Sequence, residues 1–140
     1  MRAQLEAEAS DDVVFLGHLG PEALAAERRR AWAIAVPSQW YENAPLSVLE
    51  AYAAGRPVLV SQHGGLREMV DPGVEGWCIE AGDEEAWSRA IAEVVEGGDG
   101  LAEMGKRARE RLERDHDYEH FLDEYLRHYR ELLDARDPTK

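Results

Sequence analysis

Apolar residues along this chain gather into short continuous runs rather than an alternating pattern. Four runs read as strands: Val13-Val14-Phe15-Leu16, Ala33-Ile34-Ala35-Val36, Val58-Leu59-Val60-Ser61 and Gly76-Trp77-Cys78-Ile79. Such runs suit parallel strands covered on both faces. Helical patterns over 21–31, 45–54 and 65–70 lie between them. Strands alternating with helices imply right-handed crossovers and a doubly wound sheet. The punctuation agrees. Gly20-Pro21 opens one helix, Gly55 ends the next, and Asp71-Pro72-Gly73 makes a turn. Asp83 caps a helix over 84–95, and Gly97-Gly98-Asp99-Gly100 stops it.

From 101 to 133 the pattern is long, helical and charged, with an interruption near 115–117. Leu122, Tyr125, Leu126, Tyr129, Leu132 and Leu133 recur at three- and four-residue steps, which predicts one packed face and one wet face. The expected architecture is an α/β fold: a partial Rossmann-like domain over 1–134. It has about four parallel strands, helices on both faces, a long C-terminal helical segment and a frayed tail over 135–140.

Length and composition narrow the picture. A chain of 140 residues suffices for one domain with its own core. No apolar run approaches the ~20 residues that span a bilayer, and the N-terminus lacks the apolar core of a signal peptide. The lone Cys78 excludes an internal disulfide and fits a reducing cytoplasm, with a buried, inert thiol expected. A net charge of −13 argues against general nucleic-acid binding. A single nucleotide, which needs only local amides and one or two cations, stays open.

The chemistry concentrates between the second and third strands. Glu42 falls in a loop after one strand, and Glu50 falls about one turn into the next helix. Carboxylates accept hydrogen bonds from sugar hydroxyls, and amides at a helix start hold phosphate. The pair suits a polyhydroxylated, anionic ligand.

Several segments, in order, resemble the C-terminal half of a GT-B glycosyltransferase of the retaining group 1 (family 4) kind. They are Val14-Phe15-Leu16-Gly17-His18-Leu19, Val36-Pro37-Ser38, the Glu42-x7-Glu50 spacing and Leu49-Glu50-Ala51-Tyr52-Ala53-Ala54-Gly55-Arg56-Pro57-Val58. Ser61-Gln62-His63-Gly64-Gly65-Leu66-Arg67-Glu68, Val74-Glu75-Gly76-Trp77 and Gly82-Asp83 complete the set. The resemblance implies that Glu50 contacts nucleotide ribose hydroxyls and that Glu42 contacts donor-sugar hydroxyls near the reacting carbon. It implies that Ala44, Leu46 and Ser47 offer backbone amides to the diphosphate, with Pro45 presetting the first helical turn. His18 and Leu19 would meet the base, mostly through backbone groups. Gly64 and Gly65 would border the same site, or simply make a tight turn.

The departures matter equally. Asn43-Ala44-Pro45-Leu46 stands where the family often has Gly-Phe-Gly-Leu. The family's domain begins two strands earlier, with a Gly-Arg turn and a basic residue that neutralises the donor diphosphate. Those two strands would lie between the runs at Val13 and Ala33. The chain is therefore expected to be part of a larger protein, to borrow from another chain, or to pair those two runs directly.

The expected function is the nucleotide-sugar-binding portion of a retaining hexosyltransferase, inactive alone, with no metal and no other cofactor. Its expected partners are the nucleotide sugar and a missing N-terminal acceptor domain or another chain. A strand-exchanged homodimer and peripheral membrane association of the complete enzyme belong to the same expectation. The alternatives are a non-catalytic assembly or regulatory module and a sugar-nucleotide epimerase fragment. His116 and His120, four apart near Asp123 and Glu124, have a metal-binding spacing but read as part of a solvated helix. Arg28-Arg29-Arg30 reads as a solvated helix end, and Trp32, Trp40, Trp77 and Trp87 as residues that pack core or edges, with a ligand-flanking place as the alternative for Trp40.

Overall fold

The computed structural model describes residues 2–97 and 99–136. The strands are β1 (Ile34–Val36), β2 (Val58–Ser61) and β3 (Gly76–Ile79), and the helices are α1 (Arg2–Glu8), α2 (Pro21–Arg30), α3 (Leu46–Ala53), α4 (Leu66–Met69), α5 (Glu84–Glu96), α6 (Asp99–Asp115) and α7 (Tyr118–Arg136). The sheet is parallel in the order β1-β2-β3, with Ile34 opposite Val58 and Val58 opposite Gly76.

β2 is buried along its whole length because it is central and covered on both faces. Alternate side chains serve alternate layers. Val58 and Val60 join Val48, Ala51 and Tyr52 of α3, Leu66 of α4, Val70 and Ala108 of α6 on one face. Leu59 joins Ile79, Ala90 and Val94 on the other, under α5. Helices thus cover both faces, as the sequence predicts.

Helix starts follow their local chemistry. Pro21 occupies the first position of α2 after Gly20, and the Asp83 carboxylate accepts the Ala86 N–H at 2.9 Å to cap α5. α3 and α6 cross closely because Gly105 has no side chain. A Cβ there would lie 2.1 Å from the Gly55 carbonyl oxygen. The Tyr52 hydroxyl donates to the Met69 carbonyl at 2.8 Å, and burial followed by the nearby Glu75 pushes that phenol well above its usual range.

Five expectations change. Val13 to Leu16 is not a strand: it runs as exposed coil, so the sheet has three strands instead of about four. A strand needs a ladder partner, and none lies beside this run among the described residues. Pro45 sits one position before α3, as its N-cap, rather than inside the first turn. The apolar stripe of α7 is uncovered, with Tyr125, Tyr129, Leu132 and Leu133 all exposed. Trp32 and Trp40 are exposed as well, whereas Trp77 and Trp87 pack against the Leu59 cluster, and the Trp77 indole donates to Glu93 at 2.8 Å. Ala135 and Arg136 continue α7 instead of fraying, and residues 137–140 lie outside the described residues.

The break between α6 and α7 falls at 116–117, where the sequence places it. His116 lies in that break, off the helix that carries His120, so the two histidines do not share a helical face.

Candidate functional site

Loops 37–45 and 62–65 leave the carboxyl ends of β1 and β2 side by side. Ligands of open α/β sheets bind outside those ends. The loop after β1 is folded by its own polar groups. The Ser38 hydroxyl donates to the Glu42 carboxylate at 3.0 Å and fixes its direction. The backbone of Glu42 is held from the other loop, where the Gly65 N–H donates to its carbonyl at 2.7 Å.

That approach explains the two glycines. Gly64 has φ +56, and a Cβ on Gly65 would lie 1.6 Å from the Asn43 carbonyl oxygen. Gly64 and Gly65 therefore seat the Glu42 loop, a task independent of any ligand, and the Gly65 amide is already engaged. His63 adds a further clamp. Its Nε2 lies 2.8 Å from the Trp40 carbonyl oxygen, and its ring stacks on Tyr41 with centroids 4.9 Å apart.

Glu50 stands on the fifth residue of α3, where helical spacing carries it along one side of the loop-proximal turn. Its carboxylate accepts from Arg28 of α2 at 2.5 Å. The N-terminus of α3 is bare: Pro45 supplies no side-chain cap, and no acidic residue occupies the first turn. The amides of Ala44, Leu46 and Ser47 donate to no partner among the described residues.

Two clefts meet along this side of the molecule. One, of about 820 Å³, runs along the edge of β1 that is unpaired among the described residues, lined by Ile34, Ala35 and Val36 with Arg28, Ser38 and Ser47. The second, of about 590 Å³, is lined by His18, Leu19, Arg28, Arg29 and Glu50 with apolar neighbours. Of the expected site residues, Glu42, Ala44, Leu46, Gly64 and Gly65 line neither cleft. His18, Leu19 and Glu50 share the second cleft. Ser47 and the Glu42-bound Ser38 share the first. Arg28 belongs to both.

The sequence reading passes over three residues here. Arg28 reads as a solvated helix end but is half-buried and paired with Glu50. Ser38 reads only as a strand terminus, and His63 carries no local signal. Each acts through contacts between distant segments, and a basic run beside a strand is the nearest thing to a warning.

A parallel sheet covered by helices on both faces defines a Rossmann-like α/β domain. Residues 2–111 match the family described as glycosyl transferases group 1, and the chain belongs to that family. Over 132 residues it is 35% identical to a D-inositol 3-phosphate glycosyltransferase of Gordonia bronchialis, covering 92% of this chain and 28% of that protein. A glycogen synthase of Mycobacterium tuberculosis is 36% identical over 105 residues, covering 75% of this chain and 25% of that protein. The solved sucrose-phosphate synthase of Thermosynechococcus elongatus superposes with a TM-score of 0.85 at 30% identity, over 96% of this chain and 34% of that one. The chain spans about a quarter to a third of the length of these relatives.

Proposed function

We propose that this chain is the donor-binding portion of a retaining hexosyltransferase that uses a nucleotide-diphosphate sugar. The observation that carries this reading is segment 37–50. It offers one loop carboxylate, one helix carboxylate and a bare helix N-terminus on the loop and helix that follow β1. In this reading Glu50 accepts ribose hydroxyls, and His18 and Leu19 border the base. The amides of Ala44, Leu46 and Ser47 take the diphosphate, and Glu42 accepts donor-sugar hydroxyls near the reacting carbon. The transferase stabilises the departing diphosphate by fixed donors rather than by a metal. The relatives support a donor role, because a D-inositol 3-phosphate glycosyltransferase and a glycogen synthase, differently named enzymes, match this chain at similar identity.

The complete enzyme would bind its donor between two Rossmann-like domains, and this chain alone would not turn over. Calorimetry with UDP, GDP and ADP tests the reading. One of them should bind, and Glu50→Ala should weaken it by about 1–3 kcal/mol, the cost of a lost hydroxyl contact. Binding indifferent to Glu50→Ala would remove that residue from the site. Turnover by the purified chain would contradict the proposed dependence on a second domain.

A second reading rests on Val13 to Leu16, apolar and unpaired, and on the outer edge of β1, which has no ladder partner among the described residues. Adding that run of one copy to the edge of another would complete both, giving a strand-exchanged dimer. A chain that sediments as a monomer at every accessible concentration would rule this out.

A further inference from the structure

Trp40 and Tyr41 stand side by side on the loop that carries Glu42, 81% and 85% exposed. The backbone beneath them is pinned. The Ser38 hydroxyl accepts the Trp40 N–H at 3.3 Å. The Trp40 carbonyl accepts the Glu42 N–H at 2.9 Å and lies 2.8 Å from Nε2 of His63. Both polar groups of the Trp40 backbone are therefore engaged. Tyr41 lays one ring face on His63, with the planes 22° apart, and its other face is open. Trp40 stacks on no ring among the described residues.

These anchors would serve almost any side chain at position 40. The indole itself makes no hydrogen bond among the described residues, so the loop does not use it. Leaving two aromatic rings in water forgoes the stabilisation that burial would bring. The rings are thus held in place by a fixed backbone without being spent on the fold, which is how a preorganised contact surface is built.

Their neighbour selects the ligand. Glu42 takes one hydrogen bond from Ser38 at 3.0 Å, and a carboxylate has lone pairs for several more. An open aromatic face beside a carboxylate suits a six-membered polyhydroxylated ring. Such a ring carries C–H groups on its faces and hydroxyls around its edge. The C–H face rests on the aromatic ring through dispersion and weak C–H contacts, and the edge hydroxyls donate to the carboxylate.

We propose that Trp40 and Tyr41 form a stacking platform for a six-membered sugar or cyclitol ring beside Glu42. The proposal rests on the nucleotide-sugar reading and deepens it. The ring is the hexose of the donor or a ring of the acceptor, and the two sources separate experimentally. The rival occupant is a protein surface that covers both aromatic side chains.

NMR would follow the indole N–H signals of the intact chain, with the Trp40 signal assigned by its loss in Trp40→Phe. The ligands are the best-bound of UDP, GDP and ADP, the glucose conjugate of that nucleotide, and methyl α-glucoside or myo-inositol added beside the nucleotide. Glycerol, which has hydroxyls but no ring face, is the control. Free rings that move the Trp40 signal make the platform an acceptor subsite. A shift by the glucose conjugate and not by the bare nucleotide makes it a donor-sugar subsite. Trp40→Ala should weaken the ring ligand concerned by about three- to tenfold, and the bare nucleotide by less than about twofold. Its melting temperature should match that of wild type, since the indole is exposed. Trp32→Ala, which removes another exposed indole before β1, should change neither affinity.

A Trp40 signal that ignores every ring ligand while the nucleotide binds would overturn the platform and leave the nucleotide reading standing. An equal response to glycerol would overturn it as well, because hydroxyls alone would then suffice. So would equal losses of ring and bare nucleotide in Trp40→Ala, which would make the indole a structural part of the loop. A wild type that binds no nucleoside diphosphate would bring down the nucleotide reading and the platform together.

Discussion

At the residue scale the site depends on how closely two loops approach. Gly65→Ala would force a Cβ against the Asn43 carbonyl, and backbone cannot yield as a flexible side chain would. We expect a loss of about 1–3 kcal/mol, typical of overpacking, read as a lower melting temperature, with weaker sugar-nucleotide binding because the Glu42 loop shifts. An unchanged melt would mean that the loops have slack. Cys78 offers a second check. Its thiol contacts the Val70 carbonyl, and burial pushes its pKa up, so the reactive thiolate is scarce at neutral pH. Thiol reagents should modify it slowly in the folded protein and quickly in denaturant. Fast labelling without denaturant would contradict this. Residues tied to a local pattern are readable from sequence, as Asp83 is through its cap. Arg28 is not, since its partner lies in another helix and only folding brings the two together.

At the scale of elements, α6 is fastened to the turn before β3 by Arg111. Its guanidinium donates to Asp71 at 3.0 Å, to Glu75 at 3.2 Å and to the Glu68 carbonyl at 3.0 Å, and Glu75 is only 4% exposed. Arg111→Ala leaves that carboxylate buried with only the Asp71 N–H as a partner, so we expect a loss of about 3–5 kcal/mol in denaturant unfolding. Arg127→Ala, which breaks exposed contacts to Glu124 and Glu131 on α7, should cost less than about 1 kcal/mol. Equal effects would deny the Arg111 cluster its special role. Sequence periodicity found β2, β3 and the long helices because their signals repeat within the element. It placed a strand at Val13 to Leu16 because apolar runs look alike whether or not a neighbouring strand exists. It promised α7 a packed face for the same reason: a stripe shows what a helix can bury, not what covers it.

At the scale of the molecule, an acidic surface and several uncovered apolar segments oppose each other. Mutual repulsion keeps copies apart, while the Val13 run and the α7 stripe favour contact. Added salt screens the repulsion, so any dimer fraction found in sedimentation should rise with ionic strength. A fraction that falls with salt would point to ion pairs as the adhesive instead. The doubly covered sheet was legible from its apolar runs. The junction of the two clefts was not, because cavities belong to packing rather than to any stretch of chain.

Hydrogen–deuterium exchange with and without a saturating nucleoside diphosphate tests the donor-binding assignment most directly. Amides over 44–50 and 17–19 should exchange more slowly with ligand, leaving α5 and α7 unchanged. Protection confined to α5, α6 or α7, or no protection anywhere, would contradict it.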